Sequence, residues 1–242
     1  MGFWTRGQRL PQFLMVGDSL GTRGGFDATQ LNLDASQWLT YAQGSAPQFV
    51  PCNGFFTGTD PIQQNWDNYM SAQSFSFFQR VAQRGILPNQ INWNYSKSGA
   101  LYADMVTNTE LAITQGATPE YMVVVGGTND LSDAQVAGTY TPGTVTNALD
   151  AIKAAIPGVG RGLIRNIPSR ALNTSGQGPV AEGILDDMNA ECEAWADLNG
   201  FGYADAFTVL GGHSPDPALF EDNTHPNNEG FRRVGIVMGD AV

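Results

Sequence analysis

The chain has 242 residues, enough for one α/β domain with a substantial core and short for two. Its formal net charge of -11 and its two lysines, Lys97 and Lys153, argue against phosphate backbones or anionic membranes as partners, so no nucleic acid is expected. Two cysteines, Cys52 and Cys192, and two histidines, His213 and His225, are too few for a disulfide framework or a three-histidine metal site.

The apolar runs are short and often β-branched. In chain order, 13–17 (FLMVG), 91–95 (INWNY), 121–127 (YMVVVGG), 162–167 (GLIRNI) and 201–207 (FGYADAF) read as strands. Helical spacing fills the gaps. Residues 61–83 place Ile62, Trp66, Tyr69, Met70, Phe77 and Val81 three, four or seven apart. Residues 144–155 put Val145, Leu149, Ile152 and Ala155 on one face. Residues 180–198 repeat the pattern through Ile184, Met188, Cys192 and Trp195, and the last segment carries Phe231, Val234, Val237 and Met238. Such alternation predicts a parallel sheet with helices on both faces, and in such sheets sites gather at the carboxyl ends of the strands. The stretch from about 22 to 60 fits no alternation and reads as a long decorated connection, with one short helix around SQWLTYAQ. Trp38, Tyr41, Phe49, Phe55 and Phe56 argue that it is ordered.

No apolar run reaches the roughly 18 residues that a membrane-spanning helix needs. No long apolar segment opens the chain, so a secretory leader is not read. Cytoplasmic, extracellular and virion-associated settings all stay open. So do the oligomeric state and the pairing of Cys52 with Cys192.

Four short blocks sit at four expected strand or loop ends: GDSL (17–20), NYSKSGA (94–100), GGTND (126–130) and DNTHP (222–226). Together, and in this order, they resemble the SGNH or GDSL hydrolase family, named for a Ser, a Gly, an Asn and a His in four separated blocks. Here these are Ser19, Gly99, Asn129 and His225, and the match runs from residue 13 to about residue 235. The resemblance implies a three-layer α/β/α sandwich, flavodoxin-like, with a mostly parallel five-stranded sheet, formed by the whole chain as a single domain (1–242). It also implies a serine esterase with Ser19, Asp222 and His225 as catalytic residues. The oxyanion hole would be made by Ser19 N–H, Gly99 N–H and the Asn129 amide.

The chemistry agrees with the likeness. A serine hydroxyl is a poor nucleophile until a base takes its proton. Asp222 lies three residues before His225, within reach of Nδ1–H, where it would fix the tautomer and stabilise the imidazolium. Gly99 lets a substrate approach its backbone N–H, and Asn129 offers a side-chain NH₂. Turn chemistry at Ser19 and helix capping by Asn129 or Asp130 are the competing readings. Asp18 reads as structural and His213 as a surface-loop residue. The acidic pair before NTHP is not read as a metal site, and no cofactor is expected. A strand ending in RNIPS and the long 22–60 connection depart from the family pattern.

A short acyl ester, such as O-acetyl on a carbohydrate, suits a polar, aromatic-bearing loop. A lipase or thioesterase acting on longer chains is the alternative. A carbohydrate-binding module on a retired hydrolase scaffold is a second alternative, from another class. A nucleotide binder is disfavoured, because GTRGG and GVGRG lack the Walker lysine and the dinucleotide spacing.

Overall fold

A computed structural model describes residues 11–23, 72–86, 93–97, 99–114, 116–169, 179–222 and 224–242. Five strands, β1 (Phe13–Gly17), β2 (Trp93–Asn94), β3 (Tyr121–Val125), β4 (Arg161–Arg165) and β5 (Gly202–Ala204), form one sheet in the order β2-β1-β3-β4-β5. Every pairing is parallel. The expected mostly parallel, five-stranded α/β/α sandwich is therefore the observed architecture.

Strand geometry explains the three layers. Successive side chains point to opposite faces, so both faces of a central parallel strand must be apolar. In β1, Leu14 and Val16 join Met122, Val124 and Ile164 in one core, while Phe13 and Met15 join Val123, Val125 and Leu163 in the other. The first core is closed by α3 (Tyr102–Thr114), α5 (Thr144–Ala154) and α6 (Pro179–Asn199), through Met105, Leu149, Ile152, Met188 and Trp195. The second is closed by α2 (Ala72–Gln83) and α8 (Asn228–Ala241), through Phe77, Val81, Phe231, Val234 and Met238. Helices α1 (Ser19–Arg23), α4 (Thr128–Ala137) and α7 (Ala206–Val209) complete the described set.

Several expected boundaries move. The run 201–207 does not stay a strand. Pairing ends at Ala204, and Asp205 then accepts the N–H of Thr208 at 3.0 Å, which caps α7 and turns the chain. Among the described residues the second strand runs over Trp93–Asn94, residues 91–92 of the expected run lying outside them, and β4 ends at Arg165 rather than residue 167. Helices α3 and α4 carry weak sequence signals for a physical reason. The buried stripe of α3 includes Asn108 and Thr109, and α4 buries only Thr128 and Leu131. The connection at 22–60 beyond Arg23, its short helix, residues 61–71 of the expected helix and Cys52 lie outside the described residues. Cys192 is buried and unbridged. Among the described residues, no helix is long and apolar enough to cross a membrane.

Candidate active site

Ser19 stands where the first strand ends and a short helix begins, and it is 9% exposed. Two ladders hold that end in place. Asp18 N–H donates to Val125 O on one side (3.0 Å), and Lys97 N–H donates to Gly17 O on the other (2.9 Å). The turn is tied from below as well. Asp18 is fully buried, and its carboxylate accepts Leu20 N–H at 2.9 Å and Thr128 N–H at 3.1 Å. The structural role expected for Asp18 thus takes a definite form: one side chain joins the Ser19 turn to the Asn129 turn.

The histidine arrives from the other end of the chain. Glu221 N–H donates to His225 O, Phe220 bridges Pro226, and Asn227 N–H donates to Leu219 O, so the 220–227 loop is pinned on both flanks. Asn227 also caps α8 by accepting the N–H groups of Glu229 and Gly230. His225 Nε2 lies 3.1 Å from Ser19 Oγ across 206 residues of sequence, and His225 Nδ1 lies 2.7 Å from Asp222 Oδ2. With Nδ1–H donating to the carboxylate, Nε2 keeps its lone pair for the serine proton. Asp222 also accepts the N–H groups of Thr224 (2.7 Å) and His225 (2.6 Å). Burial alone would raise Asp222. The hydrogen bonds from His225 and Thr224 outweigh it and hold the carboxyl below its ordinary value.

Glu221, Asp222 and His225 each place a polar atom within 4.8 Å of the others. His225 has no ring nitrogen left for an ion, however, since both face Asp222 and Ser19.

Gly99 lies on the loop after β2 and Asn129 in the first turn of α4 after β3, the two strands paired with β1. Gly99 is exposed and holds φ +78°, a left-handed conformation that disfavours any side chain. Ala100 N–H donates to Lys97 O and closes this turn. Asn129 Nδ2 donates to Ala100 O at 2.9 Å. An amide NH₂ has two hydrogens, so this bond leaves the second available. Helix capping does not occupy these residues. The α4 cap is Gly127, at φ +98° with no side-chain bond, and Asp130 instead accepts Tyr102 N–H at 3.1 Å. A Cβ on Gly127 would lie 2.7 Å from Ile167 Cδ1, so only glycine fits that turn. Burial pushes Asp130 up to about 6.

His213 sits on a loop near Asp186 of α6, with Nε2 3.0 Å from Oδ1. Sequence reading found no carboxylate for it, because the partner lies 27 positions upstream on another element. The Asp18 clamp and the buried Arg165 were also missed. The signal for Arg165 was a charged residue inside the expected strand GLIRNI.

A model of the GDSL-like lipase/acylhydrolase family matches residues 59–233. The match begins after β1, so the Ser19 segment enters through geometry alone. No curated protein matches the chain by sequence. Solved structures do match in fold. LAE5, an alpha/beta hydrolase enzyme from the metagenome of Lake Arreo, Spain, is 15% identical over 96% of this chain and 94% of its own, with a TM-score of 0.58. A GDSL-like lipase from Bacteroides thetaiotaomicron is 14% identical over 96% and 87%, with a TM-score of 0.55. A mutant of Axe2, an acetyl-xylooligosaccharide esterase from Geobacillus Stearmophilus, is 13% identical over 94% and 91%, with a TM-score of 0.58.

Proposed function

Because the chain belongs to the GDSL-like lipase/acylhydrolase family, we propose that it is a serine esterase that works through an acyl-enzyme. The observation that carries this reading is the 3.1 Å approach of His225 Nε2 to Ser19 Oγ, with Asp222 2.7 Å behind the ring. Ser19 Oγ attacks the ester carbonyl carbon as His225 Nε2 takes its proton. The carbonyl oxygen becomes an oxyanion, held by Ser19 N–H, Gly99 N–H and the second N–H of Asn129. The tetrahedral intermediate collapses, and His225 returns the proton to the leaving alkoxide. Water, deprotonated by the same imidazole, then attacks the acyl-serine and releases the acid. Asp222 stays ionised throughout, orienting the ring and stabilising the imidazolium.

The substrate is proposed to be a short acyl ester, with O-acetyl groups on a carbohydrate as the leading class. The similarity in fold to Axe2, an acetyl-xylooligosaccharide esterase, supports this choice. So does the sparsely charged, aromatic-bearing composition of residues 22–60, whose rings suit sugar faces. The test is hydrolysis of p-nitrophenyl acetate by the wild type and by Ser19→Ala, followed by a chain-length series. Loss of turnover by several orders of magnitude in the variant supports Ser19 as nucleophile, and equal activity refutes it. A maximum at acetyl supports the short-chain reading, and rates that climb toward octanoyl assign the enzyme to longer acyl chains.

A further inference from the structure

Beneath the strand ends lies a charged side chain that this reaction does not use. Arg165 closes β4 in register with Val125, the last residue of β3, which is itself in register with Gly17, the last residue of β1. Neighbouring strands are ~4.8 Å apart, so the Arg165 backbone lies about two strand spacings from the residue before Asp18. The side chain is 1% exposed, and Nε and both Nη atoms are buried with no hydrogen-bond partner among the described residues.

A guanidinium keeps its proton in proteins, so a full positive charge is held here away from water. The ionisable groups whose charges act on it are Asp18 from the β1–α1 turn, Tyr102 from α3 and Cys192 from α6. Burial pushes the Cys192 thiol up to about 12 and the Tyr102 phenol well above its ordinary value, so both are neutral at pH 7. Asp18 is therefore the countercharge. The influence is mutual. Burial raises the Asp18 carboxyl, and Arg165 is the strongest opposing influence.

Asp18 is also the residue that grips both sides of the site. Leu20 N–H follows the nucleophile, and Thr128 N–H precedes Asn129. A carboxylate accepts on both oxygens, whereas a protonated acid turns one of them into a donor.

We propose that Arg165 is a positioning residue whose buried charge keeps Asp18 ionised, so that Asp18 ties the Ser19 turn to the Asn129 turn and fixes nucleophile against oxyanion donor. This rests on the roles assigned to Ser19 and Asn129 above. A residue that merely filled space would be better apolar, since replacing a buried charge by a packed hydrophobe is often neutral or stabilising.

The experiment compares Arg165→Met, Arg165→Lys and the double variant Asp18→Asn/Arg165→Met in the full chain. Methionine keeps length without charge, and lysine keeps charge without the guanidinium fork. The readouts are kcat on p-nitrophenyl acetate per serine titrated with a fluorophosphonate, KM, and amide hydrogen exchange at Leu20 and Thr128. In Arg165→Met, kcat per titrated serine falls between about 10- and 100-fold while KM stays within about twofold. Exchange at the two amides rises about tenfold. Arg165→Lys brings kcat back to within about threefold and restores protection. If the methionine and lysine variants match each other in both readouts, a charge-based role is overturned. Should Arg165→Met fail to fold, the double variant decides. Folding restored by removing the second charge supports the pairing, and a double variant that is equally unfolded overturns it. If the wild type cleaves no ester, the esterase reading fails, and hydrogen exchange still decides this one.

Discussion

Replacing Asp222 by Asn probes the orientation of the base with the least change in shape. Among the described residues Asp222 accepts Thr224 N–H at 2.7 Å, His225 N–H at 2.6 Å and His225 Nδ1–H at 2.7 Å. The Asn carbonyl oxygen can keep the two backbone amides. Its NH₂ then faces Nδ1 and cannot accept. The ring answers by moving its proton to Nε2, and Nε2–H confronts Ser19 Oγ with no lone pair. In buried triads this tautomer error costs about 10⁴-fold in kcat. The Asp222 side chain is 47% exposed, so water can satisfy the amide in part of the population. The expected loss in kcat/KM is therefore smaller, about 10²- to 10³-fold, or about 2.7–4 kcal/mol of transition-state stabilisation. The assay is steady-state hydrolysis of p-nitrophenyl acetate near pH 8, with circular dichroism to confirm the fold. A kcat/KM within about fivefold of the wild type refutes the reasoning. The low position of the Asp222 carboxyl adds a pH test. Asp222 is ionised across the whole range in which an imidazole titrates, so the acid limb of kcat/KM should follow a single proton. A two-proton limb would mean that the carboxyl titrates with the base.

Three further outcomes are expected. Asn129→Ala removes the proposed oxyanion donor and the bond to Ala100 O, so kcat should fall about 10²- to 10³-fold with KM little changed, and steady-state kinetics would show a KM effect if Asn129 only binds substrate. Gly99→Ala meets no atom within 4 Å of its new Cβ but forces an L residue to φ +78°. Its strain of about 1–2 kcal/mol should lower the melting temperature by roughly 2–6 °C in calorimetry. Asp130, raised to about 6 by burial, binds its proton more tightly folded than unfolded, so its contribution to stability is present at low pH and lost as pH rises from about 4 through about 6. The stability difference between wild type and Asp130→Asn in urea should therefore shift against the wild type across that window by about 1–2 kcal/mol, after discounting for partial exposure, and a constant difference refutes the assignment.

The local parts of this protein were legible in the sequence. FLMVG and YMVVV announce central strands, because a strand buried on both faces must be apolar at every position, and Phe13–Gly17 and Tyr121–Val125 are buried throughout. Asp222 and His225 could be paired on paper, because three residues of a turn bring a carboxylate to an imidazole without help from the rest of the chain. Helix α3 was not legible, since its buried stripe holds Asn108 and Thr109 and blurs the apolar period. Nor was the end of β5, where a single Asp205 cap outweighs strand propensity. The approach of Ser19 to His225 brings the end of β1 and the loop before α8 together across 206 residues. The Asp18 bond to Thr128 and the full burial of Arg165 also belong to the tertiary structure alone. Periodicity reports which side of an element faces inward. Which charges end up facing each other inside is settled only when separate strands share a sheet.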